Sequence, residues 1–153
     1  MIDCVYYNDG IRCYRDGRVE RWFKKVWKIV ENTDNHSKGY NYIGINKKNI
    51  MRHRLIAFCF LGLENIVGKS GGNDLIDHKD RNKLNNAVYN LRITTHQGNG
   101  QNKNCKGYYF HKSRGKFQAQ IESNGKHIHL GYYTTAEEAH QSYLEGKKIY
   151  HII

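Results

Sequence analysis

The stretch that decides the reading runs Leu75-Ile76-Asp77-His78, then Lys79-Asp80-Arg81-Asn82-Lys83-Leu84-Asn85-Asn86, then Asn90-Leu91-Arg92-Ile93-Thr94, then Thr95-His96-Gln97-Gly98-Asn99. The first and third pieces are short and apolar and predict strands, and the second is a polar loop between them. Thr94 or Thr95 is placed to cap a helix that opens near His96. Strand, loop, strand and helix make a compact unit whose polar residues are ordered rather than scattered. Asp77 and His78 close the first strand, while Asn99 stands one turn beyond His96 and shares its helix face.

Those residue types suit phosphodiester hydrolysis. The reaction needs charge placed on the phosphate, a base to activate water and a scaffold that aligns the attack in line. Asp77 and the side-chain oxygen of Asn99 are hard donors fitted to Mg²⁺ or Mn²⁺, with waters and phosphate oxygens filling the remaining positions. His78 is the natural base, because an unperturbed imidazole titrates at about 6.5. Adjacent strand residues point to opposite faces, so Asp77 and His78 are expected to serve one site only if the chain bends or bulges there.

The same residues resemble the HNH nuclease family, in the branch found in phage and intron-encoded homing endonucleases. The matching positions are Asp77-His78, Asn85-Asn86, Asn90-Leu91-Arg92 and Thr95-His96-Gln97-Gly98-Asn99, and His53-Arg54-Leu55-Ile56-Ala57 is similar to the segment preceding the motif. The resemblance implies a ββα-metal finger in which Asp77 and Asn99 bind the metal, His78 is the general base and Asn90 bridges the loop. His96 joins His78 and Asn90 in the expected catalytic set, and Arg92 is expected at the DNA. Products with 5′-phosphate and 3′-hydroxyl ends, a phage-encoded gene and the cytoplasm of a host cell are implied as well. Gly98 and Gly100 depart from the family pattern, and a glycine weakens a helix by roughly 1 kcal/mol.

Upstream, residues 11–15 and 19–23 predict strands joined at Asp16-Gly17, and residues 40–45 and 50–53 predict a second hairpin. Residues 52–61 predict a buried helix stopped by Gly62, and residues 68–73 are a linker by composition. Downstream, residues 116–122 alternate, with Phe117, Ala119 and Ile121 on one face and Lys116, Gln118, Gln120 and Glu122 on the other. Asn124-Gly125 marks a hairpin to residues 126–132, where Ile128 and Leu130 point inward and His127 and His129 outward. Residues 108–112 supply a further strand. Thr135 and Glu138 form a capping box for a helix reaching about Tyr150, whose inward residues are Ala139, Tyr143, Gly146 or Lys147, and Tyr150. His127 and His151 are expected at the surface.

This last region resembles the plant ethylene-response-factor-type DNA-binding domain through Lys106-Gly107-Tyr108, residues 115–121, Leu130-Gly131-Tyr132-Tyr133 and residues 135–139. The resemblance places the exposed sheet face in the major groove, so that Tyr109, Arg114, Lys116, Gln118, Gln120 and His129 face DNA.

The composition agrees with a polyanionic partner. The 153 residues carry a net charge of +11 with 39% hydrophobic residues and a mean hydropathy of −0.82. Residues 1–71 hold 13 basic and 7 acidic side chains, residues 72–100 hold 4 and 3, and residues 101–153 hold 8 and 4. Basic flanks around a nearly neutral centre suit a protein that grips a phosphate backbone on both sides of a site needing carboxylates. The run Arg12, Arg15, Arg18, Arg21, Lys24, Lys25 and Lys28 is either a backbone grip or a solvated face. The apolar run at residues 55–63 is far short of the roughly 20 residues of a membrane span. The N-terminus lacks a signal-peptide layout, and Cys4, Cys13, Cys59 and Cys105 lack metal-ligand spacing, so reduced thiols and no structural zinc are expected.

The expectation is an α+β chain with three regions: a β-rich support that also contacts DNA at residues 1–71, the finger at 72–104, and three strands plus a helix at 105–153. The partner is double-stranded DNA. One finger cuts one strand, so a monomer nicks, and a homodimer or sequential nicking makes a double-strand break. The alternative is a non-catalytic, sequence-specific DNA-binding regulator that keeps the finger as structure.

Overall fold

Strands β1 (Cys4–Asn8), β2 (Ile11–Tyr14), β3 (Val19–Phe23) and β4 (Val26–Ile29) form an antiparallel meander in that order. They belong to a computed structural model that describes residues 3–8, 10–67 and 74–151. The turn between β2 and β3 closes through Tyr14 N–H to the Arg18 carbonyl at 2.9 Å and Gly17 N–H to the Tyr14 carbonyl at 3.0 Å. Gly17 is required there twice over: its φ is +87°, and a Cβ would lie 2.7 Å from the Asn86 carbonyl carbon. Strands β5 (Tyr42–Ile45) and β6 (Lys48–Met51) pair through a two-residue turn whose residues, Asn46 and Lys47, both have positive φ, as a primed hairpin turn demands. The expected single hairpin at residues 11–23 is thus the middle of a four-stranded sheet. Most of β4 faces solvent, so it lacks the alternation that marks a half-buried strand.

Helix α1 (Arg52–Phe60) packs against β1, β2, β6 and the two later strands β7 (Leu75–His78) and β8 (Leu91–Thr94). Around it lies one core of Ile11, Cys13, Val19, Ile43, Ile45, Ile50, Leu55, Ile56 and Leu91. The support and the finger strands therefore share their apolar interior. A 3₁₀ turn over Val88–Asn90 leads into β8, and helix α2 (His96–Gln101) follows it. The linker expected at residues 68–73 lies outside the described residues.

The chain divides into two compact units, Met1–Asn99 and Gly100–Ile153. In the second, β9 (Tyr108–His111), β10 (Lys116–Ser123) and β11 (Lys126–Tyr133) form an antiparallel sheet in the order β11-β10-β9, covered by α3 (Ala136–Tyr150). Ala119, Ile121, Ala139, Tyr143 and Gly146 are buried between them. The capping box is present: Thr135 Oγ1 accepts from Glu138 N–H, and the Glu138 carboxylate accepts from Thr135 N–H at 3.2 Å each. Two expectations are corrected here. Tyr150 is exposed, and His151, expected at the surface, is buried beneath the sheet end with its Nε2 2.9 Å from the Glu122 carbonyl.

A third correction concerns faces. A bulge at Ala119/Gln120 sets Gln120 opposite His129 and Ala119 opposite Gly131, which leaves Leu130 as the extra residue. Simple alternation from Ile128 and Leu130 turns Tyr132 inward; the bulge reverses the parity. Tyr132 stands opposite Gln118 on the outer face, and Tyr133 turns to α3, its hydroxyl between the Leu130 carbonyl (3.0 Å) and Ser142 Oγ (2.8 Å). Among the described residues the chain is α+β, with small antiparallel sheets and three α-helices, none long and apolar enough to cross a membrane.

Candidate functional site

The site is built on a helix whose first turn breaks a local rule. Cationic side chains are disfavoured at a helix N-terminus, yet α1 begins Arg52-His53-Arg54, and all three are buried. Tertiary bonds resolve the conflict. Arg52, 1% exposed, donates to Asn41 Oδ1 and to the carbonyls of Gly17, Val30 and Glu31 at 2.7–3.2 Å. Burial lowers its pKa to about 10, so it stays charged at neutral pH. Arg54 donates to the carbonyls of Ile66, Asn65 and Asp74, and Asp74 directly precedes β7. The first turn of α1 is therefore tied both to the N-terminal loops and to the strand that carries Asp77 and His78.

The loop from β7 to β8 is held by Asn90. Its Nδ2 donates to Asp80 Oδ1 (2.9 Å) and to the Asn85 carbonyl (2.8 Å), its Oδ1 accepts from Asp80 N–H (3.0 Å), and its carbonyl accepts from Lys79 N–H (2.9 Å). Asp80 also accepts from Asn82 N–H and Asn85 Nδ2. Burial works to raise the Asp80 carboxyl, but these hydrogen bonds outweigh it and hold the group below its ordinary value.

His78 is 4% exposed, and its Nε2 lies 3.2 Å from Asn86 Oδ1. The amide of Asn86 donates through Nδ2 to Asn32 Oδ1 (3.2 Å) and the Leu84 carbonyl (3.1 Å), which fixes its oxygen toward His78. Nε2 then donates to that oxygen. Two rings wall the imidazole: His53 edge-on with centroids 5.2 Å apart, and Tyr40 tilted at 6.2 Å. Burial pushes His78 below the ordinary histidine value, against the upward pull of Asn86, Asp80 and Asp77. His53 falls to about 3, chiefly through burial and then through the charges of His78 and Arg54, and is a neutral ring at any working pH. The Tyr40 hydroxyl is raised by burial and by the Asp77 carboxylate.

Asp77, 6% exposed, stands opposite Arg92 in the ladder and accepts from it twice at Oδ2, from Nη2 at 2.6 Å and from Nε at 3.0 Å. Arg92, expected at the DNA, is thus bonded to the expected metal ligand. The ladder of β7 and β8 is regular from Leu75 to His78, so the bulge that a shared site for Asp77 and His78 was expected to need is absent within the strand. The turn begins only after His78, where Arg81 N–H reaches the His78 carbonyl at 2.9 Å. His96 and Asn99 lie on α2, which leaves β8 at Thr94, paired with Leu75 at the opposite end of the ladder from His78. His96 is exposed and Asn99 half-buried. Thr95 Oγ1 accepts from Gly98 N–H at 3.2 Å and caps α2. A Cβ at Gly98 would collide with Thr94 Oγ1, so the departure from helix-forming residues there answers a close approach.

Among the described residues no three His, Cys, Asp or Glu side chains cluster closely enough to hold an ion. Asp77 and Asn99, the two expected ligands, each carry a hard oxygen donor, Asp77 on β7 and Asn99 on α2. That chemistry fits a Mg²⁺-type ion, which keeps several waters and takes substrate oxygens.

In the second unit the sheet face away from α3 carries the residues expected at DNA. Tyr109 donates its hydroxyl to Gln118 Oε1 at 2.7 Å, Gln120 stands opposite His129, and Lys116 opposite His111. Tyr132 has His129 at 4.7 Å and His111 at 5.6 Å by ring centroids, with the Arg114 guanidinium 4.7 Å over its ring. In the basic run of the first unit, Arg12 and Arg18 gather on Tyr14 and Glu20. Arg12 lies 4.3 Å over the Trp27 ring and pairs with Glu20, Arg18 lies 3.9 Å over Tyr14, Arg15 lies 5.2 Å over Phe60, and Arg21 donates to the Gly44 carbonyl.

Sequence reasoning assigns no chemical role to Tyr40 or Tyr132, nor to His53 and Asn86, which it names only as positions of the resemblance. Arg52-His53-Arg54 did carry a signal, the conflict with the helix dipole; Tyr132 carried none without the bulge.

No family profile and no curated protein matches the chain. A solved structure described as "DNA binding and cleavage by the HNH homing endonuclease I-HmuI" is similar to it, with 24% identity and a TM-score of 0.49, over 95% of this chain and 90% of that one. Likeness at that level assigns neither family nor activity, and the chemistry of the site rests on its own atoms.

Proposed function

We propose that the chain is a metal-dependent DNA endonuclease of the HNH homing type. The observation that carries this reading is the His78 ring, buried beside the Asp77 carboxylate and held at Nε2 by an Asn86 amide that Asn32 and Leu84 fix in turn. His78 removes a proton from water as the water oxygen attacks phosphorus, the bond from phosphorus to the 3′ oxygen breaks, and that oxygen takes up a proton from solvent. Asn90 keeps the loop closed around the base, and His96 supplies a donor to the phosphodiester. Asp77 and Asn99 hold Mg²⁺ or Mn²⁺. Such an ion, when bound, neutralises the phosphate and the departing oxygen. Arg92 then turns from Asp77 to a DNA phosphate.

The outer face of β9–β11 reads double-stranded DNA through Tyr109, Arg114, Lys116, Gln118, Gln120 and His129, with Tyr132 added by the bulge. One finger per chain nicks one strand, as a monomer or as each half of a homodimer, in the cytoplasm of a host cell with a phage-encoded gene.

One observation favours the second reading, a non-catalytic DNA-binding regulator that keeps the finger as structure: the guanidinium of Arg92 already neutralises Asp77. Incubation with supercoiled plasmid separates the two. The endonuclease reading expects Mg²⁺-dependent open circles from the parent, abolished by chelation and by Asp77→Asn. Plasmid that is bound but uncut at every Mg²⁺ and Mn²⁺ concentration sinks it and leaves the regulator.

A further inference from the structure

The β1–β4 meander has an outer face unlike that of a solvated sheet. Its inner face carries Ile11, Cys13 and Val19, buried in the core that α1 covers. Residues paired across strands share a face, so Tyr6, Arg12, Glu20 and Ile29 form one row on the other side, and Trp22 and Trp27 stand opposite each other in the next. Polar residues belong on such a face, yet Tyr6 is 63% exposed, Trp22 45% and Ile29 59%.

Cross-strand packing accounts for one of these rings. Trp27 is half-buried; it meets Trp22 at 5.3 Å and Tyr6, from the opposite edge strand, at 5.8 Å, and the Arg12 guanidinium lies 4.3 Å from its centroid. Arg12 in turn pairs with the buried Glu20. Trp22 and Tyr6 lean on Trp27 and still present large surface to water, which packing alone does not call for. One residue pair beyond Trp22 and Trp27, the β3–β4 turn is Lys24-Lys25, both exposed.

Held rings with open surface and cations at the rim match a chain of unpaired bases joined by phosphates. A duplex keeps its base faces stacked inside and offers only edges and phosphates. A second copy seated face to face would set Arg12, Arg18 and the turn lysines against their own kind. We propose that this face binds single-stranded nucleic acid, with Tyr6 and Trp22 stacking on unpaired bases and Lys24 and Lys25 holding phosphates. The endonuclease reading is not needed for it, since a regulator that does not cut would carry the same face.

The chain has two tryptophans, Trp22 and Trp27, and both stand on this face, so the emission of the full chain reports on it directly. An oligothymidylate of about 12 nucleotides should quench that emission saturably, and an abasic chain with as many phosphates should bind at least about tenfold more weakly. An oligouridylate of equal length tells RNA from DNA, and saturable quenching by either upholds the proposal. In fluorescence anisotropy, Tyr6→Ala and Trp22→Ala should each weaken single-strand binding about tenfold and leave duplex affinity within about twofold. Tyr132→Ala should leave single-strand affinity within about twofold.

Emission unmoved by both oligonucleotides overturns the proposal. Equal affinity for the abasic chain overturns it as well, because a phosphate grip alone would remain. Folded Tyr6→Ala and Trp22→Ala proteins that bind the single strand like the parent, or that lose duplex affinity equally, have the same consequence. If the alanine variants do not fold, quenching in the parent decides, because it needs no substitution. Quenching by anionic vesicles, or a dimer that dissociates in Trp22→Ala, in place of the oligonucleotide response gives the face to lipid or to self-association and overturns the proposal.

Discussion

The β7–β8 hairpin and the β9–β11 sheet are both small antiparallel units, and they treat polar side chains in opposite ways. In the hairpin and its loop, Asp77, His78, Asn86 and Asn90 are each 2–6% exposed and bonded to partners. In the sheet the buried residues are Ala119 and Ile121, while Gln118, Gln120, His129 and Tyr132 occupy the face away from α3. Burying polar groups is costly unless each is bonded, so a buried polar network marks a place where geometry is fixed for a purpose. A polar outer face needs no such support and is free to vary with the surface it meets. Substitutions in the hairpin should therefore disturb folding and chemistry together, and substitutions on the sheet face should disturb affinity alone.

The largest expected effect lies in the hairpin. Asn90→Ala strands three partners, the Asp80 amide, the Asp80 carboxylate and the Asn85 carbonyl, and should lower stability by about 3 kcal/mol in urea unfolding. Gln118→Ala on the sheet face should change stability by less than about 0.5 kcal/mol. Equal losses in the two variants would erase the contrast. Next in size is Tyr132→Ala, which removes the ring that carries Arg114 and touches two histidines. DNA affinity, followed by fluorescence anisotropy, should fall about tenfold with melting temperature unchanged. A destabilised variant with intact affinity would return Tyr132 to the fold.

These two regions also differ in how much the sequence discloses. Strict alternation in β10, Asn124-Gly125 and the Thr135–Glu138 box are local signals, and the sheet and helix of the second unit follow from them. The bulge at Ala119/Gln120 is not local, because it is a shift of register between β10 and β11, and it moves Tyr132 to the other face. Around the hairpin the element types are legible, and the residues that shape His78 are not. Asn86 is one of four asparagines in its loop, and only the bonds to Asn32 and Leu84 single it out. Nothing in the sequence pairs Arg92 with Asp77, which the ladder sets opposite it. Long-range partners of this kind have no period in the sequence.

A smaller effect concerns acid. His53 binds a proton near 6.5 when unfolded and near 3 when folded, so between those values the unfolded chain holds more protons. Stability should fall as pH drops through that window, and the fall should be shallower in His53→Phe when melting is followed against pH. Identical slopes would place His53 in contact with water in the folded chain. The smallest effect belongs to the second unit: Thr135→Ala removes the cap of α3 and should cost about 1 kcal/mol, seen as faster amide exchange in the first turn of α3 with β7 and β8 untouched.

The most direct test of the central claim is the single-turnover cleavage rate of DNA already bound by His78→Ala, set beside the parent in Mg²⁺. A base held by Asn86 predicts a fall of at least about a hundredfold, with DNA affinity within about twofold of the parent. A folded His78→Ala that cuts within about threefold of the parent rate would contradict it.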